Sequence, residues 1–149
     1  MTQRSIYGRV LQLGNENQLQ SRSIDITQPC VAATITVSAE GATTANTRDI
    51  TIQLLDSEGR DIDYVETVEI VMFLNAARTA FVVTGGSTGI DVGTDGALLD
   101  VVAKKMFLAT SEADGDIDLE WLDTGTEVAF LGLRLPNGNY VMSSALTNV

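Results

Sequence analysis

In DGDIDLEWLD (Asp114–Asp123), Ile117, Leu119 and Trp121 alternate with Asp116, Asp118 and Glu120. A period of two sends the three apolar side chains to one face of a strand and the three acidic ones to the other. The segment therefore reads as a half-buried β-strand whose outer face is wet. Working toward the C-terminus, DTGT is a turn, and EVAFLGLRLPNGNYVMSSAL gives a strong strand, the turn PNGN and a last strand. Asn137-Gly138 supplies the backbone freedom a tight hairpin needs.

The same grammar runs back toward the N-terminus. CVAATITVS alternates Ala33, Ile35 and Val37 with Thr34, Thr36 and Ser38, and RDITIQLLD does so with Ile50, Ile52 and Leu54. AEGATTANT between them lacks apolar weight and is a loop, and SEGR (Ser57–Arg60) is a turn. In YVETVEIVMFLN the apolar residues are continuous from Ile70 to Leu74, which predicts burial on both faces. A short strand is expected at TAFVV, followed by a loop from Thr84 to Gly96 with five glycines, and ALLDVVAKK reads as a strand or at most two helical turns. DSEGRDIDYVETVEIVMFL and SEADGDIDLEWLDTGTEVAFLGL share an acidic turn, a DID motif and an apolar strand. The echo suits two similar hairpins on opposite sheets better than two unrelated acidic turns. With helix nearly absent, eight or nine strands and regular turns predict an all-β fold, an antiparallel β-sandwich of Ig-like or jelly-roll-like type.

A chain of 149 residues fits one such domain, large enough to bury about 70% of its unfolded surface without disulfide or metal. Aromatics are only 5% of a chain that is 44% hydrophobic, so the strands are built mainly of Val, Ile, Thr and Leu. The charge is uneven. Residues 1–28 hold Arg4, Arg9 and Arg22 against Glu16 and Asp25, net +1, whereas residues 29–149 hold six basic and eighteen acidic residues, net −12; together they give −11. Five of the six glutamines also fall in residues 1–28. The division predicts an extended N-terminal arm over 1–28 and a sandwich domain over 29–149. SIYGRVLQL (Ser5–Leu13) keeps Ile6, Tyr7, Val10, Leu11 and Leu13, more apolar weight than a solvated tail requires. Those five residues, with Arg4 and Arg9, are the candidate interaction residues, expected to order against a neighbouring subunit.

Much chemistry is excluded. An acidic body repels phosphate backbones, so no nucleic-acid partner is expected. No apolar run approaches the length of a membrane helix and no basic-then-apolar start precedes the body, so neither a membrane span nor a signal peptide is expected. Cys30 is the single cysteine and there is no histidine, which rules out an internal disulfide, zinc sites of the Cys- or His-ligated kind and His-assisted nucleophiles. Cys30 reads as a small buried apolar residue. Lys104 and Lys105, the only lysines, sit by no nucleophile motif. The glycine loop lacks GK[ST] and is followed by no clear helix, so it is read as a surface loop, flexible or ordered at a subunit contact, rather than a phosphate cradle. Neither enzymatic activity nor a cofactor is expected.

The acidic cluster SEADGDIDLEW (Ser111–Trp121) needs separate weighing. An EF-hand loop starting at Asp114 would place Leu119 where glycine is required and Gly125 where glutamate is, so that pattern fails. Another calcium geometry would draw on Glu112, Asp114 and Asp116. Catalytic glycosidase carboxylates flank a cleft with one partly buried, whereas these alternate with core residues and point into water together. The solvated strand face is the favoured reading, and acidic strand faces also discourage edge-to-edge pairing.

RDITIQLLDSEGRDI, TSEADGDIDLEWLDTG and the closing LRLPNGNYVMSSALTNV resemble small β-sandwich virion proteins of tailed bacteriophages that decorate or cement the head, and the acidic hairpins also look like those of bacterial Ig-like domains. The resemblance covers about Ala33 to Val149. It implies a structural virion protein on the capsid surface, assembled in the host cytoplasm, that contacts the major capsid protein and forms a homo-oligomer, trimer or dimer, often with a terminal arm reaching a neighbour. It transfers no functional residue, because such proteins act through surfaces. Two rivals stand beside it. One is a tail, baseplate or fibre-associated module that attaches to the virion or a host glycan, which would need Trp121 exposed beside Tyr64 or Tyr140. The other is a calcium-dependent Ig-like adhesion module.

Overall fold

A computed structural model describes residues 28–149, so the expected arm, apart from Gln28, and all seven candidate interaction residues (Arg4, Ile6, Tyr7, Arg9, Val10, Leu11 and Leu13) lie outside the described residues. Nine strands follow in order: β1 Ala32–Val37, β2 Thr47–Leu55, β3 Thr67–Phe73, β4 Gly89–Val92, β5 Ala97–Val102, β6 Met106–Thr110, β7 Asp116–Leu122, β8 Phe130–Arg134 and β9 Tyr140–Ala145. They form a four-stranded sheet, β1-β2-β7-β4, and a five-stranded sheet, β5-β6-β3-β8-β9. Every neighbouring pair is antiparallel. The predicted sandwich is present.

The alternation in the sequence builds the core directly. Ile50, Ile52 and Leu54 of β2 and Ile117, Leu119 and Trp121 of β7 are buried on one sheet, and Val68, Ile70 and Met72 of β3 with Leu131 and Leu133 of β8 are buried on the other. In the shared register Ile52 lies opposite Ile117 and Ile50 opposite Leu119, so each row adds its side chains to one layer. Each such side chain contributes about 1.5–3 kcal/mol by leaving water.

Topology distinguishes the two sandwich types foreseen. Taking β1, β2, β3, β4, β7, β8 and β9 as successive framework strands, the sheets are first-second-fifth-fourth and third-sixth-seventh. That is the order of an immunoglobulin constant-type domain. The β5–β6 hairpin is inserted between the fourth and fifth framework strands, and β6 pairs with the otherwise free edge of β3. The usual immunoglobulin core marks are absent, since Trp121 sits on β7 rather than on the third framework strand and Cys30 is a free, buried thiol.

Three local expectations are corrected and one open alternative is resolved. The Thr84–Gly96 segment contains β4, whose Ile90 pairs with Trp121 and is buried because it completes the inner row of that sheet. TAFVV is not a strand; only Phe81 bridges to Phe73, because β6 already occupies the edge of β3 further back. ALLDVVAKK resolves as strand β5 followed by a turn, with Lys104 at φ +64°. The echo is not a pair of equivalent hairpins. Asp116-Ile117-Asp118 opens β7, whereas Asp61-Ile62-Asp63 lies in the connection from β2 to β3, and Ile62 packs against the Gly115 turn. The two acidic turns are neighbours at one end of the sandwich: a Cβ on Gly115 would lie 2.7 Å from Ile62 and 3.1 Å from the Leu54 carbonyl.

The last residues tie the sheets together. Leu146 is fully buried, and its N–H donates to the Ala129 carbonyl at 2.9 Å. The Arg48 guanidinium donates to the Thr147 carbonyl at 2.6 Å, to Asn148 Oδ1 at 3.0 Å and to the Ser38 carbonyl at 3.1 Å. Asn148 in turn donates to the carbonyls of Asn46 and Asp123 at 2.8 and 2.9 Å.

Candidate interaction surfaces

The outer face of the four-stranded sheet is a field of carboxylates. Strand register sets Asp49 opposite Glu120 and Glu120 opposite Asp91, so three acidic side chains line up across three strands. One row along, Asp118 faces Thr51, and beyond it Asp116 faces Gln53. Arg48, the only basic residue in these strands, is turned away to the C-terminal strap. Like charges directly opposite one another oppose pairing, so this face carries a cost that the core rows beneath must offset. Asp49, Asp118 and Glu120 also line a groove of about 260 Å³ with Thr43 and Thr94. Burial, then the charges of Asp118, Asp114 and Asp95, push the Asp116 carboxyl above the ordinary aspartate value. Its Oδ1 is enclosed without a hydrogen-bond partner.

The residues weighed for calcium close a turn. The Glu112 N–H donates to the Asp116 carbonyl at 2.9 Å, the Gly115 N–H to the Glu112 carbonyl at 3.0 Å, and Gln53 Nε2 to the Asp114 carbonyl at 2.8 Å. Gly115 holds φ +84°, a conformation L side chains rarely adopt. These hydrogen bonds occupy main-chain carbonyls, and among the described residues no three acidic side chains converge as a metal cluster requires.

The outer face of the five-stranded sheet is mostly apolar, with a polar row of Thr67, Thr110, Glu69 and Arg134 across it. Phe73 meets Tyr140 edge-on with ring centroids 5.7 Å apart, and the Arg78 guanidinium lies 4.8 Å from the Tyr140 ring centre. Gly132 passes beneath them; a Cβ there would fall 2.6 Å from the Phe73 ring. Val71 is buried although it points outward, so Ile70 to Phe73 are buried on both faces as the sequence predicts, whereas Leu74, expected to continue the run, lies past the end of β3 and is half-buried. Beside Val71, Glu69 and Arg134 approach to 3.7 Å. Toward the hairpin the cover ends. Leu99 lies opposite Leu108 with 63% and 37% exposure, and Val101 and Val102 are 51% and 47% exposed on β5, whose far edge has no partner strand among the described residues.

The glycine-rich segment is anchored within the chain. The Glu127 carboxylate accepts N–H groups from Thr84 at 2.8 Å, Gly85 at 3.1 Å and Gly86 at 3.1 Å, and also the Thr84 hydroxyl. Gly85 and Gly86 hold φ +84° and +81°, which turns their N–H groups to one side as an anion nest requires. The occupant of the nest is the protein's own carboxylate. Burial pushes the Glu127 carboxyl up, but the Thr84 hydroxyl and the backbone N–H groups outweigh it and hold it below the ordinary glutamate value. Lys104 Nζ donates to the Gly86 and Ser87 carbonyls at 3.2 and 2.7 Å, and Asp123 accepts the Ser87 and Gly125 N–H groups at 3.0 and 3.1 Å. This half of the loop is a folded corner, which corrects the flexible-loop expectation.

The remaining singled-out residues fall into the framework. Trp121 is fully buried, so it cannot join Tyr64 or Tyr140 in an exposed binding platform. Tyr64 donates its hydroxyl to the Gln28 carbonyl at 2.9 Å and fixes where the chain enters β1. Cys30 is buried as expected, and burial followed by the nearby Glu66 charge pushes its thiol up, away from reactivity. Sequence reasoning missed two features. Glu127 carries no motif, though a Gly-Gly pair beside Ser and Thr signals N–H groups in need of an acceptor. The β5 edge was hidden in the strand-or-helix ambiguity of ALLDVVAKK. No known protein family matches the chain, and neither a curated protein nor a solved structure does.

Proposed function

We propose that the chain is a structural virion protein that decorates or cements the exterior of a tailed-bacteriophage capsid, assembled in the host cytoplasm. It contacts the major capsid protein and sister subunits, with residues 1–28 as the reaching arm. The observation that carries this reading is the two-sidedness of the sandwich: a continuous carboxylate face on one sheet and an apolar face with an open strand edge on the other. A subunit that sits on a shell needs one side that binds and one that keeps particles apart, and many weak contacts on a symmetric lattice add up. The resemblance of RDITIQLLDSEGRDI, TSEADGDIDLEWLDTG and LRLPNGNYVMSSALTNV to head-decoration proteins supports the same reading. The burial of Trp121 weighs against the tail or fibre alternative.

The decisive measurement is the copy number of this chain relative to the major shell protein in purified particles, by quantitative mass spectrometry. A ratio near one, or a simple fraction of it, is expected. A handful of copies per particle moves the protein to the tail, and absence overturns the virion reading. Deleting residues 1–28 is expected to leave a folded sandwich that no longer binds the lattice; full binding by the truncated protein removes the arm from the scheme.

A further inference from the structure

We propose that β5 is an acceptor edge, and that residues 5–13 of a neighbouring copy of this chain pair with Ala97–Val102 as an added strand. The inference deepens the assembly reading above and rests on it.

Four observations carry it. The first is the edge itself: β5 is outermost in its sheet, five of its six residues are apolar, and Leu99, Val101 and Val102 are about half exposed or more. An exposed hydrophobic edge is a template for strand addition, and natural proteins cover or charge such edges. Second is charge. Along β4, β5 and their connection the body presents Asp91, Asp95 and Asp100, and of the two lysines that follow β5, Lys104 is turned to the Gly86 and Ser87 carbonyls, while residues 1–13 carry Arg4 and Arg9 with no carboxylate, a net of +2 in a chain of −11. Pairing β5 with the β5 of a second copy would instead add Asp100 to Asp100 between two acidic bodies.

Third is reach. Residues 14–27 separate the segment from Gln28, and fourteen residues span at most about 50 Å, enough to cross from one body to the next. Fourth is placement. Gln28 is pinned by Tyr64 where the chain enters β1, and β1 packs near β9, whereas β4 and β5 close the opposite side of the sandwich. Donor and acceptor on opposite sides define a head-to-tail contact, which closes into a ring when the rotation permits.

The test uses the full-length chain and a Val10→Pro/Leu11→Pro variant, whose prolines cannot serve a strand ladder and fall outside the described residues. Sedimentation reads the assembly state and hydrogen exchange reads the β5 amides. In the wild-type protein an oligomer with protected β5 amides is expected. In the variant a monomer is expected, with exchange at Ala97–Val102 faster by about tenfold or more and β2 and β7 unchanged. Leu99→Lys/Val101→Lys should give the same pair of changes from the acceptor side. Unchanged β5 protection in the proline variant overturns the inference, as does an oligomer that survives both variants or a wild-type chain that is monomeric with β5 unprotected. Protection that persists in wild-type protein diluted to monomer overturns it too, because the segment then covers its own edge. A variant that loses the oligomer but keeps its copy number on particles separates this contact from the virion reading, which then stands without it.

Discussion

The two outer faces of this sandwich are made by the same device, alternation along antiparallel strands, and they end in opposite states. On the four-stranded sheet Asp49, Glu120 and Asp91 stand side by side across three strands. On the five-stranded sheet Phe73 lies over Gly132 and meets Tyr140 edge-on beneath Arg78, and the outward-pointing Val71 is buried. The first face spends core stability on keeping other surfaces away. The second adds to stability over part of its area and leaves the remainder, at β5, ready to be covered.

The sharpest way to break this contrast is Phe73→Ala, which strips the layer over Gly132. Loss of about 3 kcal/mol is expected in urea unfolding; a loss below about 1 kcal/mol would mean that the outer apolar layer does not support the fold. A smaller effect, about 1–2 kcal/mol, is expected for Glu127→Gln, because three N–H groups lose a charged acceptor. The smallest is a gain. Glu120→Lys should stabilise by about 0.5 kcal/mol at low salt, since it places a cation between Asp49 and Asp91, and the gain should shrink with added salt.

Acid titration sharpens the same comparison from the other side. The folded-state value of Glu127 lies below the ordinary 4.5, so its contribution is full above about pH 4.5 and is lost as the pH falls through the folded value. Asp116 runs the other way. Its value is raised, so protonation favours the folded state and the acidic face gains stability as the pH falls through that raised value. Urea midpoints measured from pH 7 down to about pH 3 should therefore fall less steeply in Glu127→Gln than in wild type, and more steeply in Asp116→Asn.

The sandwich was legible because period-two alternation is a local signal: Ile117, Leu119 and Trp121 declare their face without reference to any other strand. The same signal foretold the acidic face. What could not be read was set by partners distant in sequence. Whether Gly89–Val92 forms a strand depends on β7 offering its edge, and Phe81 fails to extend a strand because β6 arrives first. The nest around Glu127 joins residues more than forty positions apart, and no local pattern announces it. Similarity of wording misled once, where two DID motifs acquired different backbones because one continues a sheet and the other connects two.

The Arg48 strap bears on time rather than on affinity. Its hydrogen bonds to Thr147 and Asn148 join residues separated by 99 and 100 positions. Contacts of that separation form only after the intervening chain is already ordered, since closing so long a loop early is entropically costly. They therefore belong to the native side of the folding barrier, and their energy enters the rate of unfolding far more than the rate of folding. Arg48→Ala is accordingly expected to speed unfolding more than it slows refolding, which stopped-flow kinetics reads.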